Sequence, residues 1–388
     1  MIFSTADWDH PSWTNKQHVA ACLADMGHRV LYIESLGMRC PSATTRDMGR
    51  ICKRFKKLFA DVRCARKNIW VLSPFSIPFQ NNYIVRAFNF WILRWKIRKY
   101  LCKLNMKKPF FWTYNPLIGE LLDKKYWGKS IYHCVDEISE QPGMPARLIQ
   151  QKEKELLSKV DYVFVTSIRL YEEKRDYNSA TYYFPNAVDF DHFYQAITKE
   201  KVKLPEELEA IPEPRIGFVG AISSYKLDFE LLYQIACLRP TYNFILIGDI
   251  GEGDPHTDVG KLKELNNVFF LGHRPYQQLP DYLRGFQVCL LPFKLNKYTE
   301  YMFPMKFFEY LAAGRPTVGI ELPSLKKYKE NYVVASTPEE FIAGIDQCII
   351  SPDLCERLKV SGIELAKNNT YRQRTQAMLD IIVGISNE

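Results

Sequence analysis

Two charged residues three positions apart, Lys306 and Glu309, stand near the start of the apolar segment FPMKFFEYLAAG. Pro304 suits the opening of a helix, and the small residues Ala312, Ala313 and Gly314 suit its end beside a following strand, PTVGI. In a helix, a three-residue spacing puts Lys306 and Glu309 on one face. A cation in the first turn opposes the helix macrodipole, so an anion is expected there to offset it. The pair suits a phosphate held by the lysine and a sugar hydroxyl pair held by the carboxylate, with Met305 beside them; the same spacing also makes an ordinary surface ion pair. A second candidate is IGFVGAISSYK, residues 216–226, a buried strand running into a glycine turn. Gly220, Ala221 and Ser223 leave room for backbone N–H groups to approach a phosphate, and Lys226 adds a full charge before the next helix. A tight strand-to-helix turn with no ligand accounts for the same residues.

In the first half of the chain, IYHCVDEISEQ places Asp136 and Glu137 just beyond the end of a strand. A carboxylate there can take the proton of an acceptor hydroxyl, and Asp136 is the better placed of the two. Capping of the next segment, or pairing with a basic neighbour, is the alternative for Asp136. His133 lies inside the strand, where histidines are more often core residues. The loop after the first strand, ADWDHPSWTNKQH, offers Asp9, His10, Lys16 and His18 as an acceptor-side group, although helix capping from Thr14 or Asn15 explains much of its composition.

The elements that must position these residues alternate strand with helix. MIFSTA, a helical stretch from Lys16 to Met26 and RVLYIES open the pattern; KSIYHCVDE, QQKEKELLSKV and DYVFVTS continue it. After Ile197–Pro214, a charged stretch with three prolines that reads as a linker, come RIGFVG, LDFELLYQIACL, NFILIGD, NVFFLG, VCLLPF, KFFEYLAAG and PTVGIE. Such alternation implies parallel sheets covered by helices. With 388 residues the expectation is two doubly wound domains: 1–195 on the acceptor side and 196–370 on the nucleotide side, with a C-terminal helix at about 371–388 packing back on the first. Two such domains would set their strand C-terminal ends face to face across a cleft, where ligands of open α/β sheets bind.

Composition narrows the function. Residues 1–185 carry a net charge of +13 and residues 186–388 one of −5, and residues 50–108 hold 16 Lys and Arg against the single acid Asp61. There, RICKRFKKLFADVRCARK and NYIVRAFNFWILRWKIRKYLCKLNMKK interleave cations with Phe, Trp, Ile and Leu, the makeup of an interfacial helix on an anionic membrane surface. A core helix with a solvated basic face is the bland alternative, and nucleic acid is disfavoured because no RNA- or DNA-binding motif occurs. No run of about 18 apolar residues and no leader peptide is found, so a cytoplasmic protein, peripheral on the inner face of the plasma membrane, is expected. The ten cysteines form no CxxC pair and no zinc spacing, so reduced thiols and no metal are expected.

KFFEYLAAGRPTVG, with FVG near 218, ILIGD near 245, FLGHRPYQQLPDYL near 270 and FPNAVDFDHF at the domain junction, resembles the GT-B glycosyltransferases over nearly the whole chain. In pattern the chain is similar to the bacterial polysaccharide enzymes of the teichuronic-acid type and to the glucuronosyltransferase of xanthan assembly. The resemblance implies a GT-B fold of two Rossmann-like domains and transfer of a sugar from a nucleotide-diphosphate sugar, UDP favoured, to a glycan acceptor, lipid-linked on a polyprenyl carrier, in polysaccharide biosynthesis. It implies no cofactor and no metal. By the same resemblance, Lys306 and the Gly220 turn would hold the donor pyrophosphate, Glu309 the ribose, and His273 and Arg274 the base. Asp136 matches the catalytic-base aspartate of the xanthan-type enzyme, and Asp9 a polar position of that group. Glu309 also matches the second glutamate of the Glu-x7-Glu motif of the retaining enzymes, but the first position holds Tyr301, with Glu300 adjacent, so the stereochemical course stays open. An epimerase of a UDP-sugar and an inactive scaffold of a polysaccharide assembly complex are the other functions compatible with these residues.

Overall fold

Short runs of β-branched and aromatic residues become parallel strands buried on both faces, as sheets covered by helices require. They belong to a computed structural model that describes residues 1–37, 61–77, 82–199, 202–252, 254 and 256–385; the basic stretch 50–60 lies outside the described residues. The chain divides into two units, Met1–Phe184 with Thr375–Glu388, and Pro185–Arg374.

Among the described residues the first unit is built on an eight-stranded sheet. Its strands are β1 (Ile2–Phe3), β2 (Val30–Ile33), β3 (Arg63–Arg66), β4 (Ile69–Leu72), β5 (Phe111–Thr113), β6 (Ser130–Cys134), β7 (Tyr162–Val165) and β8 (Thr181–Tyr183). Their order is β3-β4-β2-β1-β5-β6-β7-β8, with β3 alone antiparallel to its neighbour. Alternate residues serve opposite cores. Phe3, Leu31 and Phe111 pack with Phe90, Leu93 and Ile97 of the helix Tyr83–Lys103, whereas Ile2, Tyr32 and Trp112 pack with Val19, Leu23, Met378 and Ile382. The last two belong to the C-terminal helix Tyr371–Val383, which completes this unit. Thr14 and Gln17 form a capping box that starts the helix Asn15–Asp25.

The second unit has six parallel strands: β9 (Arg215–Val219), β10 (Asn243–Ile247), β11 (Val268–Gly272), β12 (Val288–Leu291), β13 (Thr317–Gly319) and β14 (Val333–Val334), in the order β11-β10-β9-β12-β13-β14. Asp228, Thr337 and Ser351 cap the helices Phe229–Leu238, Pro338–Ile350 and Pro352–Lys367 by accepting backbone N–H groups.

The division falls at 184/185, not at the linker-like stretch expected to mark it. Phe193 and Ala196 of the helix Phe190–Thr198 are buried in the second core. Beyond them, Leu208 of the stretch read as a linker is also buried there, against Gly285. Backbone bonds Val188 N to Asn369 O and Tyr371 N to Val188 O join the start of this unit to its end, so the second unit closes after Arg374. Composition alone misplaced the boundary because isolated buried residues, not segment polarity, fix where a chain packs. Among the described residues no helix is long and apolar enough to cross a membrane.

The core of the second unit tolerates no added volume where strand and aromatic ring meet. A Cβ at Gly217 of β9 would lie 2.0 Å from the ring of Phe286. Gly217→Ala is therefore expected to lower the unfolding free energy by about 1–3 kcal/mol, the usual cost of overpacking, measured by urea denaturation.

Candidate functional site

β9 is where the second sheet reverses direction: β10 and β11 lie on one side, and β12, β13 and β14 on the other. Ligands of open parallel sheets bind outside the strand ends at such a switch point. The chain leaves β9 through Gly220 at φ 154°, a conformation that L side chains rarely adopt. Gly220 N donates to Ile247 O at 2.8 Å, and Gly248, at φ 148°, donates to Gly272 O at 2.9 Å. A Cβ at Gly248 would come within 1.8 Å of Gly220 O, so only glycine fits at the end of β10. Ala221 follows in the turn, and Ile222 N donates to Asp249 O.

The helix Met305–Ala312 brings Lys306 to this turn. A Cβ built on Gly220 would stand 3.7 Å from Lys306 Cε. Two contacts fix the helix there. The buried Tyr310 hydroxyl accepts the N–H of Val219 at 2.9 Å, and the buried Asn186 amide donates to Phe303 O at 2.6 Å, just ahead of the helix. Lys306 Nζ lies 2.6 Å from Glu309 Oε2, and Glu309 is almost wholly buried whereas Lys306 keeps part of its surface in water. The carboxylate thus offsets the cation that the first turn of the helix disfavours. Met305 is half-buried, with its sulfur 3.7 Å from the Tyr371 hydroxyl.

A further group beside Glu309 escaped the sequence analysis as site residues. His192 stacks on Tyr276 with ring centroids 4.3 Å apart, and its Nε2 is 2.9 Å from Tyr276 O. Burial raises the pKa of Asp189, His192 opposes that shift, and the charge of Glu309 adds to it. These residues sit in FPNAVDFDH and HRPY, segments recognisable in sequence as fold markers; what makes His192 and Tyr276 neighbours is the packing of the helix Phe190–Thr198 against the helix Leu279–Arg284.

With this geometry in place, comparison with known proteins gives a consistent answer. Residues 213–350 match the family model described as glycosyl transferases group 1. Over this segment the chain is similar to the group 1 glycosyl transferases. A putative teichuronic acid biosynthesis glycosyltransferase, TuaH of Bacillus subtilis, is 28% identical over 251 residues, covering 60% of this chain. The chain spans about 61% of the length of that curated relative. Among solved structures, sucrose-phosphate synthase of Thermosynechococcus elongatus aligns over 99% of this chain and 98% of its own, with a TM-score of 0.71 and 17% identity. Anabaena HepE in complex with UDP-glucose aligns over 99% of each chain, with a TM-score of 0.69 and 13% identity. The E. coli trehalose-6-phosphate protein bound with UDP-2-fluoro glucose aligns over 99% of each chain at 0.70 and 12%. At these identities the structures establish the fold, GT-B, and the resemblance to GT-B bacterial polysaccharide glycosyltransferases is borne out.

The other residues expected to bind in this segment make contacts within the protein. Lys226 holds its ammonium over the rings of Tyr225 and Tyr298, at 5.1 and 5.6 Å from their centroids, and Ser223 donates to Glu252 O. His273 Nδ1 lies 3.4 Å from Asp249 Oδ2 at the end of β10. Arg274, expected at the nucleotide base, pairs within the protein: its Nε lies 2.8 Å from both Glu207 Oε1 and the Tyr282 hydroxyl, and its Nη2 is 2.7 Å from Glu207. The Tyr282 hydrogen bond and the Arg274 charge lower the Glu207 pKa. A carboxylate from the presumed linker thus occupies the guanidinium, a long-range pairing that no local pattern announces. Tyr301 is buried and Glu300 exposed, so neither residue supplies a buried carboxylate at the first position of the Glu-x7-Glu pattern.

In the first unit, Asp136 lies two residues past β6 and is half-buried. Glu137 is a correction. Its carboxylate is buried, 3.0 Å from Lys174 Nζ and accepting from Ser139 at 2.6 Å, and Lys174 also holds Glu153 at 2.8 Å. Burial alone would lower the Lys174 pKa, but the charges of Glu153 and Glu137 outweigh it and hold the ammonium well above its usual range. Glu137 therefore knits the sheet to the helix Ile168–Lys174, with both carboxylate oxygens engaged in this buried cluster. His133 is fully buried in β6 and stacked on Tyr114, with centroids 4.8 Å apart. Of the loop residues, Asp9 forms an exposed ion pair with Arg63, and His10 Nδ1 accepts from Ser12 N at 3.2 Å. Lys16 lies 6.0 Å from the centre of the Tyr114 ring, and His18 is buried against Trp13. Asp9 and His18 thus each make a contact within the first unit.

The buried cluster yields a test that separates structure from chemistry. Lys174→Met leaves Glu137 and Glu153 together without their cation, and removal of one partner of a buried ion pair costs about 3–5 kcal/mol. A loss of that size is expected in denaturant unfolding, and an unchanged midpoint would show that the two carboxylates find other partners.

Proposed function

We propose that the chain transfers a sugar from a nucleoside-diphosphate sugar, a UDP-sugar in the first instance, to a glycan acceptor carried on a polyprenyl lipid, in the assembly of a cell-surface polysaccharide. The approach of Lys306 to the Gly220 turn at the switch point of β9 carries this proposal. A diphosphate placed there would meet backbone N–H groups, the positive end of a helix and one full positive charge. The group 1 match over 213–350 supports it, as does the presence of UDP-glucose in HepE.

In this mechanism the donor diphosphate displaces Glu309 from Lys306, which frees the buried carboxylate to accept from the ribose hydroxyls. As the bond between the anomeric carbon and the diphosphate oxygen breaks, negative charge grows on the leaving group, and Lys306 with the turn amides stabilises it there. Fixed donors aimed at developing charge are commonly the largest single contribution to catalysis. Asp136 takes the proton of the acceptor hydroxyl as its oxygen bonds to the anomeric carbon; this assigns the base for an inverting reaction. No metal is needed in this scheme, since the lysine and the amides supply the positive potential. The acceptor side belongs to the first unit, and the protein works on the cytoplasmic face of the membrane as a peripheral protein.

Two substitutions test the roles separately. Lys306→Ala is expected to weaken UDP binding by about 10–100-fold, the worth of a charge-assisted hydrogen bond, in calorimetric titration; unchanged affinity removes Lys306 from the donor site. Asp136→Asn is expected to lower turnover by about 10²–10⁴-fold with donor affinity retained, and near-normal turnover would assign the base elsewhere. Interconversion of a free nucleotide sugar without any acceptor would identify an epimerase, and a folded protein that binds no nucleotide would identify a scaffold.

A further inference from the structure

The helix Tyr83–Lys103 keeps its largest apolar side chains in water. Arg86, Asn89, Phe90, Leu93, Lys96, Ile97 and Tyr100 face the sheet, and two of these inward positions are cations. On the opposite side Ile84, Phe88, Trp91 and Trp95 are 76%, 44%, 65% and 60% exposed. Their spacing of four, three and four residues makes one continuous stripe. Phe88 and Trp91 are stacked with centroids 6.1 Å apart, and Lys99 Nζ lies 5.9 Å from the Trp95 ring. Arg98 and Lys99 are exposed on the same side, Arg94 is exposed at its flank and donates to Glu120 O at 2.6 Å, and the chain contains no acid between Asp61 and Glu120.

We infer that this stripe is a membrane-insertion face: Trp91, Trp95 and Phe88 enter the headgroup region of an anionic bilayer while Arg98 and Lys99 contact its phosphates. The inference deepens the proposed membrane-side function and rests on it for the choice of a lipid surface. Each side chain fits the task. Tryptophan favours the interface because its ring is apolar and its N–H polar, and arginine and lysine extend apolar stems alongside it with the charge held at headgroup level. The six cations of the 21-residue helix forbid crossing, so the helix lies in the plane of the surface. A second copy of the chain is the less suitable occupant, since apposing two such stripes would bring Arg98 and Lys99 against their own like charges.

The electrostatic and apolar parts separate experimentally. The intact chain is mixed with vesicles of phosphatidylcholine alone or with added phosphatidylglycerol, and bound protein is measured by flotation at low salt and at about 0.5 M salt, where exposed charges are screened. The unaltered protein is expected to prefer the anionic vesicles and to retain a bound fraction at high salt. Trp91→Ser with Trp95→Ser should lower partitioning by about tenfold or more and abolish the salt-resistant fraction. Arg98→Gln with Lys99→Gln should reduce the preference for anionic lipid while leaving the salt-resistant fraction. Both pairs are exposed, so melting temperature and UDP affinity should match the unaltered protein. Equal partitioning of the tryptophan variant overturns the inference, as does a dimer in sedimentation that forms without lipid and is lost in that variant. UDP titration on the same samples tells the two proposals apart: vesicle binding without nucleotide binding leaves the insertion face standing and removes the transferase reading.

Discussion

A lysine in the first turn of a helix is electrostatically misplaced, and much of the second unit is arranged around that misplacement. The helix Met305–Ala312 points its N-terminal N–H groups in the same direction as Lys306, so positive potential is concentrated beside Gly220. Glu309 offsets it from within the same helix. The arrangement holds only because the helix cannot retreat: Tyr310 anchors it to the last residue of β9 and Asn186 to the residue before its proline. A rigid cation next to a backbone turn that has no side chain in the way is suited to a diphosphate, because the group it receives carries charge and needs close approach of N–H donors.

The turn imposes its own demand on the strands beside it. Gly220 and Gly248 both adopt backbone conformations closed to other residues, and the carbonyl of the first fills the place where a side chain of the second would be. Removing side chains at adjacent strand ends opens a shelf at the switch point, and its backbone is then tied by bonds between neighbouring loops. The proposed site and the fold use the same glycines, so that site would be an extension of the sheet's own hydrogen bonding. His192, Tyr276 and Asp189 extend the polar surroundings of Glu309 with residues from two further segments.

Charge is handled differently in the first unit. Two of its buried acids, Glu137 and Glu153, share Lys174 and serve cohesion, whereas the excess of cations on the helix Tyr83–Lys103 is partly left in solvent beside exposed aromatic rings. Carboxylates adjacent in sequence therefore have unlike roles: Glu137 turns inward to the lysine, and Asp136 lies at the half-buried end of β6. Proximity to a strand end selects both, and only burial and partners distinguish them.

Local pattern determined the alternation of strand and helix, the helix beginning at Pro304 and the glycine turn after β9, because each depends on residues close together in the chain. The amphipathic helix in the basic segment was legible for the same reason. What tertiary structure decided were the pairings across long separations. Glu207 takes Arg274, Lys174 takes Glu137 and Glu153, and His192 meets Tyr276, each across tens of residues. The boundary at 184/185 likewise follows from Phe193, Ala196 and Leu208 entering the second core, although the segment around Leu208 is polar enough to read as a linker. A sequence states which side chains carry charge or apolar surface; which of them are spent on one another is settled only when packing brings distant segments into contact.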